Sequence, residues 1–250
     1  MIVYGRNPVR EAIRGPRTVH RVWATKNAAR EPWLQAREVG VASAGELERL
    51  AGSPEHQGIC AEVSEFRYAE AGELLGADDA LIVALDQVQD PHNLGAICRT
   101  AECAGASGAV IPERRAAEVT AAVCKSSAGA VEHLPVARVR NLADFLGEAK
   151  RAGMWCYGAD ASGSIGYSDV DWNGPVVLVL GSEGRGLRPR VAGACDALVS
   201  IPLRGRIESL SVSAAAAVLL YVAAAGRRAG GADRTSGAER SGGADRSGKT

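Results

Sequence analysis

Three short segments hold most of the residues able to do chemistry, and each sits where a strand pattern gives out. The first is Asp86-Gln-Val-Gln-Asp-Pro-His-Asn-Leu-Gly-Ala-Ile-Cys-Arg99-Thr-Ala. Asp90-Pro91 makes a turn, Asn93 can fold its amide onto nearby backbone, and Gly95 permits close approach at a helix start. With a helix beginning near Leu94, Arg99 lies one turn inside, its head free to reach a strand-end cleft. The other reading of these residues is a capped helix with a surface arginine. The second segment runs from Val176 through Leu180, Gly181, Ser182, Glu183, Gly184, Arg185 and Gly186 to Leu187. A buried strand entering such a loop exposes a row of backbone N–H groups, with Glu183 held among them. Loops of this kind cradle phosphate, but a carboxylate inside the loop argues against an anion. Its G-x-x-G-x-G spacing does not fit the dinucleotide fingerprint. The third segment, Ile201 to Ala215, passes from a strand through an Arg/Gly loop to a Ser-rich helix start. Donors and acceptors around Ser209 suit a small polar ligand; Ser209 or Ser211 also suits an N-cap.

The elements that must hold these segments follow from periodicity. Ala80 to Leu85 is a continuous apolar run, as expected of a strand buried on both faces. A helix over Ala96 to Ala104, closed at Gly105, precedes a strand over Gly108 to Ile111. The alternation continues with helix Ala116 to Ser126, strand Leu134 to Val139, helix Leu142 to Ala152 and strand Met154 to Ala159. Strands Pro175 to Leu180 and Leu198 to Ile201 and a final Ala-rich helix complete it. Strands alternating with helices predict a parallel sheet covered on both faces, and ligands bind such sheets at the carboxyl ends of their strands. Upstream, NPVREAIR reads as a helix with Asn7 as N-cap and Pro8 at its first position. Val19 to Ala24 and Gly58 to Val63 read as strands, and ELERLAG as a short helix closed by Gly52. Arg67 to Asp79 is acidic and aperiodic, which suits a linker. From Arg227 the chain repeats Gly-Ala-Asp/Glu-Arg-Ser/Thr with nothing apolar beyond Ala, which predicts disorder.

The 250-residue chain is 46% hydrophobic and 23% charged, ordinary for a globular protein. Val212 to Ala225 is too short and too weakly apolar to span a bilayer, and no signal peptide is expected, so the placement is cytoplasmic without membrane. Six dispersed cysteines, with no C-x-x-C pair, read as small hydrophobes, and no metal is expected. The net charge is zero, yet residues 1–40 carry eight basic residues against three acids. That imbalance suits either a phosphate-binding face or a solvated surface.

In this order and at these distances, the three segments resemble the three motifs of the SpoU/TrmH branch of the SPOUT methyltransferases. The first matches D-P-x-N-x-G-x-I-x-R-T-A, the second G-x-E-x-x-G-L, and the third I-P followed by S-L-N-V-S. The resemblance spans Asp86 to Ala216 and includes Ser127-Ala-Gly-Ala-Val-Glu132-His133. Tyr4-Gly5 and His56-Gln57-Gly58-Ile59 are similar to the ribosomal-protein-like RNA-binding domain of the members acting on large-subunit rRNA.

The resemblance implies an α/β fold with a parallel sheet and a C-terminal trefoil knot, preceded by a small α/β RNA-binding domain. Its division is 1–66 for substrate binding, 67–79 as linker, 80–226 for catalysis and 227–250 as a disordered tail. The implied reaction is methyl transfer from S-adenosylmethionine to a ribose 2′-hydroxyl of structured RNA, 23S rRNA first, by a homodimer. Modification of tRNA and a non-catalytic RNA-binding relative are the alternatives. Arg99, Asn93, Glu183 and Ser209 fall on the family's catalytic positions. Gly181, Ile201, Leu210, Leu180 and Ser209 fall on its methyl-donor pocket. In one departure, Ser211 stands where the family has Asn and loses that amide's reach and donors.

Overall fold

The structure, a computed structural model, describes residues 1–207 and 209–238. Two sheets organise it. The first contains β1 (Ile2–Tyr4), β2 (Val19–Ala24), β3 (Val39–Val41) and β4 (Ile59–Val63) in the order β1-β4-β2-β3. Alternation divides its faces. Val22, Ala24, Ile59 and Ala61 share a core with Val9 and Ala12 of α1 (Arg6–Arg14). Tyr4 and Cys60 pack against Leu47 of α2 (Ala44–Ala51) on the other side. Gly52 ends α2 in the left-handed region, as its position predicted, and Ser43 with Glu46 forms a capping box at its start. At α1 the expectation shifts by two residues. The helix begins at Arg6 with Gly5, at φ 96°, as N-cap, so Asn7 lies inside the first turn and caps nothing.

The second sheet has seven strands in the order β7-β6-β5-β10-β8-β11-β9, and every paired neighbour runs parallel. They are β5 (Leu81–Asp86), β6 (Gly108–Pro112), β7 (Val136–Val139), β8 (Trp155–Ala159), β9 (Ile165–Gly166), β10 (Val176–Gly181) and β11 (Ala197–Ser200). Leu81, Val83, Leu85, Val176, Leu178 and Leu180 face α3 (Pro91–Cys103) and α7 (Val212–Ala238), with Ile97, Leu219 and Leu220 in the same core. Ile82, Ala84, Val177 and Val179 face the opposite layer, formed by α5 (Leu142–Arg151) and α6 (Pro189–Ala192). Apolar burial on both sides is why these strands read as unbroken runs. Each fully buried Leu or Val contributes roughly 1.5–3 kcal/mol.

The expected helix over Ala116 to Ser126 is shorter: α4 spans Ala121–Ser126, with Thr120 before it in extended conformation and 116–119 outside any helix. There Val119 N–H donates to the Tyr68 hydroxyl at 2.9 Å, which holds the strand-to-helix passage against the segment read as a linker. That segment lies along the sheet edge, with Ala69 bridged to Ala137 and Leu74 buried against Gly108. The final helix continues to Ala238, past Arg227, where the tail was expected to begin. The remainder of the expected tail, 239–250, lies outside the described residues.

A buried ion pair joins the turn before β2 to the turn before β7. Arg17 Nε donates to Glu132 Oε2 at 2.9 Å, its second terminal nitrogen donates to Oε1, and both side chains are almost fully enclosed. Burial alone would lower the Arg17 pKa, but the Glu132 carboxylate leaves it raised. Gly129, at φ 89°, sits where a Cβ would fall 2.7 Å from Glu11 Cβ, so α1 docks directly on the 127–133 turn. Among the described residues no helix is long and apolar enough to cross a membrane. Burial pushes the Cys98, Cys156 and Cys195 thiols up to about 12, so they stay neutral and pack as hydrophobes.

Candidate functional site

The carboxyl ends of β8, β10 and β11, with the start of α7, enclose a cleft of about 350 Å³. That volume is in the range of small-molecule sites. Leu180, Val199, Ile201, Leu210, Val212 and Ala215 supply apolar walls, and residues 181–186 supply a rim of backbone. The loop after β10 is closed on itself. Ser182 N–H donates to Gly186 O at 3.1 Å, and Gly186 N–H donates to Ser182 O at 2.9 Å. Gly181 makes this closure possible, because a Cβ there would lie 2.1 Å from the Gly186 carbonyl carbon.

Every residue expected to line a methyl-donor pocket lines this cleft: Leu180, Gly181, Ile201, Ser209 and Leu210. Glu183 also lines it, exposed at the mouth, and the Asn93 amide donates to Glu183 Oε2 over a long 3.4 Å. Arg99 is not brought to the lining. The helix carrying it starts at Pro91 and not near Leu94, because Asp90 caps it through His92 N–H at 3.0 Å and Pro91 takes the first position. Arg99 therefore sits about two turns inside α3, exposed, and makes no ion pair with another described residue. Gly95 does what close approach requires, since a Cβ there would lie 1.9 Å from Ser126 Oγ. Ser211 accepts from Ala214 N–H at 3.2 Å and so caps α7, a task its hydroxyl performs as well as an amide would.

Two features had no clear mark in the sequence. Ala159, Asp160 and Ala161 close the far side of the cleft, brought there because β8 lies between β10 and β11. Asp86, fully buried at the end of β5, accepts from Arg188 N–H at 2.8 Å and from Arg188 Nε at 2.7 Å. This pair pins the far end of the 181–187 loop to the neighbouring strand. Removing the arginine leaves a buried carboxylate short of donors, at a cost of about 1–3 kcal/mol. Arg188→Ala is therefore expected to lower the unfolding free energy by that amount and to weaken ligand binding in the cleft. Urea denaturation and calorimetry check the two effects separately.

The cleft suits a flat heteroaromatic ring between aliphatic walls, with backbone donors and acceptors for its edge and a carboxylate beside the reacting end. Comparison with known proteins names such a ligand. The SpoU rRNA Methylase family model matches residues 80–221. A second model, for RNA 2'-O ribose methyltransferase substrate binding, matches residues 2–69. Over 232 residues the chain is 39% identical to "Putative TrmH family tRNA/rRNA methyltransferase YacO" of Bacillus subtilis, covering 88% of this chain and 93% of that one. The SpoU methyltransferase AviRb from Streptomyces viridochromogenes, solved with the cofactor AdoMet, matches with TM-score 0.74 at 27% identity. That match covers 90% of this chain and 89% of AviRb. An AdoMet-bound rRNA methyltransferase from Sinorhizobium meliloti gives TM-score 0.74 at 28% identity, over 89% of this chain and 85% of its own. The cleft-forming segments all fall inside residues 80–221, and on that ground the chain belongs to the SpoU rRNA methylase family.

Proposed function

We propose that this protein methylates the 2′-hydroxyl of a ribose in 23S rRNA, in the cytoplasm and as a homodimer, with S-adenosylmethionine as methyl donor. The observation that carries the reading is the convergence of the second and third segments on one apolar, backbone-rimmed cleft at the strand ends. Gly181 and its loop, with Leu180, Ile201 and Leu210, would hold the adenosine part, and Ser209 would border it. When bound, S-adenosylmethionine supplies a methyl group whose C–S bond breaks as the ribose O–C bond forms. The hydroxyl must lose its proton in that step. The Asn93 amide donates a long hydrogen bond to one oxygen of the Glu183 carboxylate, and the other oxygen would take the hydroxyl's proton as the methyl group is transferred. A guanidinium is a cation with five donors and no acceptor, so the part of Arg99 is electrostatic: it holds phosphate and the developing alkoxide.

The substrate-binding match over residues 2–69 supports an RNA substrate, and the likeness to the Sinorhizobium meliloti rRNA methyltransferase over 89% of this chain supports rRNA as that substrate. Exposed Leu203, Ile207 and Leu210 near the cleft support an apolar contact between protomers. The same reading includes the trefoil knot, in which the chain after β11 threads the loops around the cleft.

Arg99→Ala is expected to abolish transfer while S-adenosylmethionine affinity and the mass of the folded dimer stay unchanged. Light scattering, calorimetry and a methyl-transfer assay read the three quantities. Full activity in that variant removes Arg99 from the mechanism. Failure of the wild-type protein to bind S-adenosylmethionine favours a non-catalytic RNA-binding protein.

A further inference from the structure

We propose that a groove on the N-terminal sheet, far in sequence from the cleft, is a pocket for one unpaired nucleobase of the RNA. The groove is about 450 Å³ and is lined by Trp23, Val41, Ala42, Glu46, Arg49 and Leu50. This inference rests on the RNA reading above and adds where and how the N-terminal unit grips its substrate.

The groove is built for a flat ring. Trp23 on β2 pairs in register with Gly40 on the edge strand β3, and a Cβ at that glycine would lie 3.0 Å from Trp23 Cδ1. The missing side chain lets the half-buried indole lie against β3 and not be pushed off it. Val41 is 61% exposed and Leu50 39% exposed, so among the described residues two apolar walls beside the indole are left open to solvent. Arg21, two residues along the same strand face, places its guanidinium carbon 5.5 Å from the Trp23 ring centroid. An aromatic platform with a cation on it is how single-stranded RNA is held without base pairing.

The charges select a base for the centre and phosphate for the rim. Glu46 lines the groove, and its Oε2 accepts from Ser43 N–H and Ser43 Oγ, each at 2.7 Å. The carboxylate is thereby fixed in place, with its second oxygen available to an exocyclic amino group. It repels a phosphate at that point. Arg49 on the wall and Arg21 over the ring supply the positive flanks, although Glu62 stands opposite Arg21 in register on β4. Splayed, unstacked bases are the usual objects of sequence-specific RNA recognition, and an aromatic slot with one carboxylate reads their stacking face and amino edge together.

The test uses the full chain and two probes, a fluorescently labelled single-stranded RNA oligonucleotide and a duplex of the same length. Binding is read by anisotropy, and S-adenosylmethionine affinity by calorimetry. Trp23→Ala is expected to weaken single-strand binding about tenfold or more, in line with a stacking contribution of roughly 1–3 kcal/mol per base. Duplex binding and S-adenosylmethionine affinity are expected to stay unchanged. Arg49→Glu and Val41→Asp alter exposed groove positions and are expected to weaken the same probe, which keeps the test decisive if Trp23→Ala fails to fold. Wild-type single-strand affinity in Arg49→Glu and Val41→Asp overturns the pocket while leaving the methyltransferase reading intact. A changed oligomer size in Val41→Asp with unchanged RNA binding overturns it in favour of a second copy of the chain. Absence of any RNA binding by the wild-type protein overturns both readings.

Discussion

Gly181→Ala is expected to abolish S-adenosylmethionine binding, and methyl transfer with it, in a protein that remains folded. A Cβ at this position would lie 2.1, 2.3 and 2.4 Å from Gly186 C, Gly186 O and Leu187 N. All three are backbone atoms, so no rotamer change relieves the overlap, and the 182–186 closure must open. Opening displaces the rim that Gly181, Ser182 and Glu183 present to the cleft. Overpacking of this kind costs about 1–3 kcal/mol, well inside the stability of an ordinary domain. Gly184→Ala is the matched control. Its backbone is left-handed, at φ 77°, as that of Gly181 is not, and a Cβ there meets nothing within 4 Å. That variant carries only the backbone strain, roughly 1–2 kcal/mol, and is expected to keep measurable affinity. Equal affinity of wild type and Gly181→Ala for S-adenosylmethionine would show that the closed loop is not a wall of the donor site.

The second large effect falls on stability. Arg17→Ala and Glu132→Ala are each expected to cost about 3–5 kcal/mol in urea or thermal unfolding, because each strands its partner's charge in the interior. The pair is the main polar tie between the N-terminal sheet and the 127–133 turn, and Arg17 also lies over the Phe66 ring at 5.7 Å. The double variant with Met at 17 and Leu at 132 is expected to recover most of the loss, since two well-packed apolar groups leave no charge unpaired. Additive losses in the double variant would show that the two residues act independently, and the tie would have to be sought elsewhere.

What the sequence reveals of this molecule depends on where each signal comes from. Val19–Ala24 emerges as β2 with the boundaries read from its pattern, and β5, β6 and β10 fall within a residue of theirs. The last three are buried on both faces, so their composition alone marks them. β1 and β3, three residues each, went unseen because so short a run has no period to read; register with β4 and β2 makes them strands. The start of α3 was placed late because Asp90-Pro91 serves both a turn and an N-cap, and only the His92 N–H bond decides between them. Within the site, the residues lying on the second and third segments were legible. Asp160 was not, because strand order and not chain proximity brings it to the cleft. The Asp86–Arg188 clamp joins residues that no periodicity relates. Gly181 was visible as part of a Gly-rich loop, but the reason only glycine fits there is a distance across the loop to Gly186.

The most direct test of the account is transfer of labelled methyl from S-adenosylmethionine to unmodified 23S rRNA and to bulk tRNA, followed by alkaline hydrolysis and nuclease mapping. The prediction is label in 23S rRNA, retained as an alkali-resistant 2′-O-methyl dinucleotide at one position. Label on a base, label confined to tRNA, or no incorporation by a protein that binds S-adenosylmethionine would contradict it.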